Sequence, residues 1–107
     1  MDKTDVSQFL PLFRTEALDR LQRATEGMLA LERNPAAPGI LDDCRREVHT
    51  VKGAAGMVQR ADIAQRARVL EDLLTEVGQG RRQLTPELTR QVLNELDQLR
   101  GLVAAIG

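Results

Sequence analysis

Apolar residues recur at intervals of three and four along almost the whole chain, and this spacing limits its possible folds more than any other feature. Such intervals place the apolar residues on one face of an α-helix, whereas a half-buried strand would alternate apolar and polar residues. Four amphipathic helices are predicted, roughly over residues 6–33, 40–57, 62–78 and 86–106. Because short segments join them, we predict an all-α, antiparallel up-down four-helix bundle that forms a single domain over residues 1–107.

The ends of these helices carry typical capping residues. Ser7 and Asp62 are predicted N-caps of the first and third helices. Thr85 is the predicted N-cap of the fourth helix, and Pro86 takes its first helical position. Pro11 lies within the first turns of the first helix, which predicts an irregular or bent start.

Charge and composition exclude several classes of protein. Fifteen basic and 16 acidic residues give a net charge of -1, which argues against a nucleic-acid-binding module or a polybasic membrane-surface domain. The chain has no apolar run of about 18 residues and no signal-peptide pattern at its start. The single cysteine, Cys44, cannot form an internal disulfide, and its position on an apolar stripe predicts a small core residue. We therefore expect a cytoplasmic protein that neither binds nucleic acid nor inserts into a membrane.

The only histidine of the chain, His49, lies in the predicted second helix, in the stretch REVHTVKGAAGMV. At about 100° per residue, His49 lies about 140° from Cys44, the reference position of the apolar stripe, so its side chain is predicted to be largely exposed. Lys52 and Gly53 follow one turn later. Glycine costs roughly 1 kcal/mol relative to alanine inside a helix. Helix termination can explain Gly56, but Gly53 lies a turn further in and requires another cause.

A carboxylate on the predicted third helix is a candidate partner of the imidazole. Glu71 lies about 80° from the centre of its apolar stripe, at the edge of the buried face. By accepting the Nδ1–H of His49 it would fix the tautomer and leave the lone pair of Nε2 facing outward. An ion pair between Glu71 and Arg68 is an equally good prediction from the sequence. An ordinary surface histidine also remains an alternative.

The stretch HTVKGAAG resembles the His-x-x-Lys-Gly motif of histidine-containing phosphotransfer (HPt) domains, most closely the N-terminal phosphotransfer domain of CheA-type chemotaxis kinases. The segments SQFLPLFRTEALDRLQ, ARVLEDLLTEVGQG and LTPELTRQVLNELDQL resemble the first, third and fourth helices of that domain, so the resemblance covers essentially the whole chain. Two departures are visible. The aromatic residue and further glycine common in the family are missing from MVQRAD, and CheA domains often continue to a fifth helix, whereas this sequence ends at Gly107.

The resemblance implies a phosphorelay intermediate of two-component or chemotaxis signalling. His49 would accept a phosphoryl group from the ATP-binding domain of a histidine kinase and pass it to an aspartate of a CheY/CheB-like response regulator. Lys52 would support the phosphoryl oxygens electrostatically, and Glu71 would orient Nδ1 of His49. The residues expected to dock the partners are Arg45, Arg46, Gly53 and Gly56. The resemblance further implies a phosphocarrier that has no ATP site and is not an enzyme by itself, either a separate protein or the N-terminal substrate domain of a larger CheA-type kinase.

Other functions have weaker support in the sequence. No phosphate-binding P-loop is present, and one histidine with one cysteine on the apolar stripe does not make a set of metal ligands, so we expect neither a metal nor a cofactor. GAAG resembles the GxxG loop of KH nucleic-acid domains, but that fold requires strands and a basic surface. The main alternative is a helical docking or scaffold module in which His49 is incidental.

Overall fold

Four α-helices form the bundle in the computed structural model, which describes residues 5–107. A short 3-10 helix, Val6–Phe9, precedes α1 (Leu10–Arg33), α2 (Ile40–Met57), α3 (Ala61–Gly78) and α4 (Pro86–Ala104), and no strand occurs among the described residues. Helix α1 packs against both α2 and α4, while α3 packs mainly against α2. The predicted all-α, up-down four-helix bundle is confirmed.

The core consists mainly of aliphatic side chains, because the chain contains only two aromatic residues and only Phe13 of these is buried. Each helix contributes its predicted apolar stripe to this core. Some apolar residues near helix ends are only half-buried, because the ends of the bundle cover them less completely; examples are Leu10, Leu41, Val77 and Ile106. No helix within residues 5–107 is long and apolar enough to cross a membrane.

The start of the first helix differs from the prediction that named Ser7 as its N-cap. The N-cap of the 3-10 helix is Asp5, whose carboxylate accepts the Ser7 N–H at 3.1 Å and the Ser7 hydroxyl at 2.6 Å. The Leu10 N–H donates to the Ser7 carbonyl in the 3-10 pattern. Pro11 has no N–H to donate to that carbonyl in the α-helical pattern, so α1 begins only at Leu10.

The connection between α2 and α3 also corrects a predicted cap. Asp62 is not the N-cap of α3; that position belongs to Arg60, and Asp62 instead binds the Arg60 guanidinium at 2.9 and 3.0 Å. Gln59 adopts a positive φ of 62°. The Arg60 N–H donates to the Ala55 carbonyl and the Gln59 N–H to the Gly56 carbonyl, which is the Schellman arrangement. This turn moves the helix start one residue earlier than predicted.

The fourth helix has its predicted start and an earlier end. The Thr85 hydroxyl accepts the Leu88 N–H at 3.1 Å, so the predicted N-cap is confirmed. The helix ends at Ala104 rather than at residue 106. Its last carbonyl, that of Ala104, accepts hydrogen bonds from the Arg14 guanidinium of α1 at 3.2 and 3.3 Å. A cation at a helix C-terminus satisfies free carbonyls and stabilises the end of the helix dipole.

Candidate functional site

Helix α2 presents three basic side chains in a row that flanks its buried stripe. Arg45, His49 and Lys52 are spaced i, i+4 and i+7, which places them on one side of the helix. We call these three residues the basic row. The His49 side chain is 59% exposed, whereas those of Arg45 and Lys52 are each 32% exposed. The row therefore lies beside α3, with the imidazole as its most accessible member.

Glu71 of α3 lies opposite the basic row. It follows the buried Leu70 on the flank of α3 that packs against α2, and its side chain is only 11% exposed. The His49 Nδ1 atom lies 2.7 Å from Glu71 Oε2, and the Lys52 Nζ atom lies 2.7 Å from Glu71 Oε1. Arg68, which the sequence offered as an alternative partner of Glu71, is exposed, and the ion pairs of Glu71 are with the basic row instead.

The environment of Glu71 keeps its carboxyl group ionised. Burial is the largest single influence and raises the pKa of this group, but the contacts with Lys52 and then His49 together outweigh it and hold the pKa below its ordinary value. Oε1 is buried and has no hydrogen-bond partner within residues 5–107, so the nearby Lys52 ammonium compensates its charge as an ion pair. Glu71 is thus a carboxylate at neutral pH.

An ionised carboxylate can only accept hydrogen bonds, and this determines the chemistry of the imidazole. When His49 is neutral, its Nδ1 must carry the proton in order to donate to Glu71 Oε2, so Nε2 keeps a free lone pair. The ring is more than half exposed. This arrangement suits Nε2 to act as a nucleophile toward a group delivered from outside the domain.

The two predicted docking glycines, Gly53 and Gly56, are exposed on α2. A Cβ atom added to either would meet no atom within 4 Å, so packing inside this domain does not require glycine there. Arg46 is also exposed and pairs with Asp42 at 2.9 Å. These three residues occupy accessible surface on the same helix as His49.

Arg45 has a contact that the sequence reasoning missed. We predicted it only as part of a docking surface, but its Nη1 atom lies 3.9 Å from Glu71 Oε2, the oxygen that binds His49. The i, i+4, i+7 spacing of the basic row was the signal in the sequence that could have revealed this contact.

Cys44 takes no part in the site. It is buried, its Sγ lies 3.4 Å from the Ala24 carbonyl oxygen, and burial above all, with the nearby Asp43 and Glu47, raises its pKa to about 11. It is therefore a protonated thiol in the core. No group of three or more histidine, cysteine or acidic side chains suited to a metal occurs within the described range.

Comparison with known proteins decides the family. The model of the Hpt domain family matches residues 8–102, a range that contains the basic row and Glu71. The chain belongs to the Hpt domain family.

Several relatives of this Hpt domain are chemotaxis or motility proteins. It is 29% identical to the chemotaxis protein CheA of Bacillus subtilis over 102 residues, which are 95% of this chain and 15% of that protein. It is 37% identical to the gliding motility regulatory protein of Myxococcus xanthus over 93 residues, which are 87% of this chain and 12% of that protein. The Hpt domain thus spans a small part of the length of these relatives.

A solved structure shares its fold. The CheA phosphotransferase domain from Thermotoga maritima superposes with a TM-score of 0.86 at 26% identity, covering 94% of this chain and 95% of that one. The four-helix arrangement that brings Glu71 to the basic row is therefore the arrangement of a known phosphotransferase domain.

Proposed function

We propose that this Hpt domain is a phosphorelay intermediate of chemotaxis-type signalling, with His49 as its phosphoacceptor. The donor is the ATP-binding domain of a histidine kinase, and the acceptor is an aspartate of a CheY/CheB-like response regulator. The observation that carries the proposal is the 2.7 Å contact between His49 Nδ1 and the buried Glu71 carboxylate, beside an imidazole that is 59% exposed. Glu71 binds Nδ1 of the imidazole, and Nε2 remains available to a partner protein.

The first transfer follows from this geometry. The lone pair of His49 Nε2 attacks the γ-phosphorus of ATP held by the kinase, the bond from phosphorus to the bridging oxygen breaks, and ADP leaves with that electron pair. Positive charge develops on the imidazole as the N–P bond forms, while the Nδ1 proton stays directed at Glu71 Oε2. The carboxylate is already in place to stabilise that charge, so little reorganisation is needed during the reaction.

The second transfer reverses the charge on the ring. A carboxylate oxygen of the regulator's aspartate attacks the phosphorus, the N–P bond breaks, and its electron pair returns to Nε2 as a neutral imidazole. Lys52 supports the phosphoryl oxygens in both steps. An ammonium has three donors, so Lys52 can contact a phosphoryl oxygen while it remains paired with Glu71 Oε1, 2.7 Å away.

Partner docking involves the exposed side of α2, with Gly53 and Gly56 providing clearance and Arg46 providing charge. Neither glycine is required by packing within the bundle, which supports a cause outside it. We further propose that residues 1–107 form a single domain and serve as the phosphorylated substrate domain of a larger CheA-type kinase.

Phosphorylation by a CheA-type kinase with labelled ATP tests the function directly. Wild-type domain is expected to acquire acid-labile, alkali-stable phosphate, and His49→Gln is expected to acquire none. Glu71→Gln keeps the size of the side chain but loses the charge-assisted hydrogen bond, which is worth about 1.5–3 kcal/mol, so phosphorylation should slow by about 10- to 150-fold. Asp72→Asn is the matched control, since Asp72 is the exposed neighbour on the same helix and should give the wild-type rate.

Circular dichroism of each variant must show the helical content of the wild type, so that rates can be compared. Equal labelling of wild type and His49→Gln would mean that another residue is phosphorylated. No labelling by any of several candidate kinases would leave the scaffold function, in which His49 is incidental, as the better description.

A further inference from the structure

Arg45 is held in place between two carboxylates. Its Nε and Nη2 atoms lie 3.0 and 2.9 Å from Asp42 Oδ1, within the same helix. Its remaining terminal nitrogen, Nη1, points across to α3 and lies 3.9 Å from Glu71 Oε2. The side chain is 32% exposed, so the guanidinium is partly enclosed rather than extended into solvent.

We propose that Arg45 is a positioning residue for the phosphoacceptor, which acts on His49 by holding Glu71 Oε2 toward Nδ1. This inference deepens the proposed function and rests on it. Arg45 does not touch the reacting Nε2 or the phosphoryl group; its effect passes through the carboxylate. A residue that supports the orientation of a histidine partner is a common feature of sites that depend on one tautomer.

A second cation is needed because the carboxylate group of a glutamate rotates easily. The terminal torsion of a glutamate has broad minima, so one ammonium at Oε1 does not by itself fix the position of Oε2. With Lys52 alone, the carboxylate could turn both oxygens toward the ammonium and away from His49. Arg45 attracts Oε2 from the other end of the basic row. Seven residues, or about 10 Å along the helix, separate the two cations, and His49 lies between them.

Arg45 and Arg46 are thereby assigned different roles. Both pair with Asp42, but only Arg45 reaches Glu71. The Arg46 side chain is 71% exposed, which suits it to a partner's acidic surface. Loss of either residue removes one positive charge and one of the two ion pairs of Asp42, so the two variants differ in the contact with Glu71.

The tautomer of His49 is a direct readout of this role. The chain has one histidine, so a long-range proton–nitrogen correlation spectrum of the labelled domain shows a single imidazole. Spectra are recorded at an alkaline pH at which the ring-nitrogen chemical shifts show a neutral imidazole. Arg45→Gln is expected to raise the ratio of the Nε2–H to the Nδ1–H form by about two- to fivefold, as fits the loss of a partly exposed ion pair. Arg46→Gln should keep the wild-type ratio.

Kinetics of phosphorylation by the kinase provide a second measurement. Arg45→Gln should lower kcat in proportion to the fall in the Nδ1–H fraction, at most about fivefold, with KM unchanged, because only that tautomer has Nε2 free to react within the complex. A change confined to KM would assign Arg45 to docking and overturn the proposal. An unchanged tautomer ratio in Arg45→Gln, or an equal shift in Arg46→Gln, would overturn it as well. The spectra need no kinase and decide the role of Arg45 by themselves. A wild-type domain that no kinase phosphorylates would refute the proposed function, which is a separate outcome.

Discussion

Replacement of Gly53 by leucine is expected to make the domain more stable and, at the same time, a poorer phosphoryl carrier. Gly53 is exposed inside α2, and an added Cβ would meet no atom within 4 Å. The variant therefore gains helix propensity without a clash, which stabilises the fold by about 0.5–1 kcal/mol. For a domain of this size the melting temperature should rise by about 2–5 °C.

The loss of function comes from the partner's side of the interface. If a kinase or regulator packs closely over Gly53, an inserted isobutyl group costs about 1–3 kcal/mol of overpacking at the interface. The second-order rate of phosphoryl transfer should then fall by about 5- to 150-fold. Thermal unfolding measures the change in stability, and quenched time courses of phosphoryl transfer on the same preparation measure the change in rate.

Gly101→Leu is the matched control. Gly101 is also exposed within a helix, α4, and an added Cβ there likewise meets nothing within 4 Å. It should gain similar stability and keep the wild-type transfer rate. Normal transfer by Gly53→Leu, or equal slowing in both variants, would refute the clearance argument.

Three further predictions concern the fold and the charge of the site. Gly27→Ala should destabilise the domain by about 1–2 kcal/mol although alanine has the better helix propensity, because the new Cβ would lie 2.6 Å from the buried Cys44 Sγ. Chemical denaturation measures this loss of stability, and adding Cys44→Ala should remove most of the clash. Gln59→Gly should stabilise the domain by about 0.5–1 kcal/mol, because Gln59 has a positive φ of 62° that glycine adopts at lower cost. An unchanged melting temperature would contradict that reasoning. The lowered pKa of Glu71 means that its ionisation stabilises the fold above its unfolded-state pKa of about 4.5 and that this contribution is lost as the pH falls through the lower folded-state value. The stability advantage of the wild type over Glu71→Gln should therefore shrink as the pH falls from about 5 to 3, and a constant difference over that range would argue against an ionised Glu71.

Much of the fold could be predicted because its causes are local. The apolar spacing that defines each helix acts over three or four residues, and the Thr85 cap is made by a hydroxyl and an N–H three residues apart. The same spacing predicted an exposed His49, and its side chain is 59% exposed.

Two of the errors occur where a helix end depends on a contact beyond its own cap. The fourth helix ends at Ala104, where Arg14, 90 residues earlier in the chain, donates to the last carbonyl. The third begins after a Schellman turn that involves Gln59 in a conformation disfavoured for residues other than glycine. Propensity rules could not have selected that residue.

The sequence by itself determined four amphipathic helices, an exposed histidine and the chemical groups near it. Only the tertiary structure decided which of those groups contact Glu71, because this carboxylate belongs to another helix and is 22 residues from His49 in the sequence. A shift of α3 by one residue would rotate Glu71 by about 100° and move it 1.5 Å along the helix axis, away from Nδ1. The packing of two helices, and not the spacing within either, therefore selects His49, Lys52 and Arg45 over Arg68 as the partners of this carboxylate.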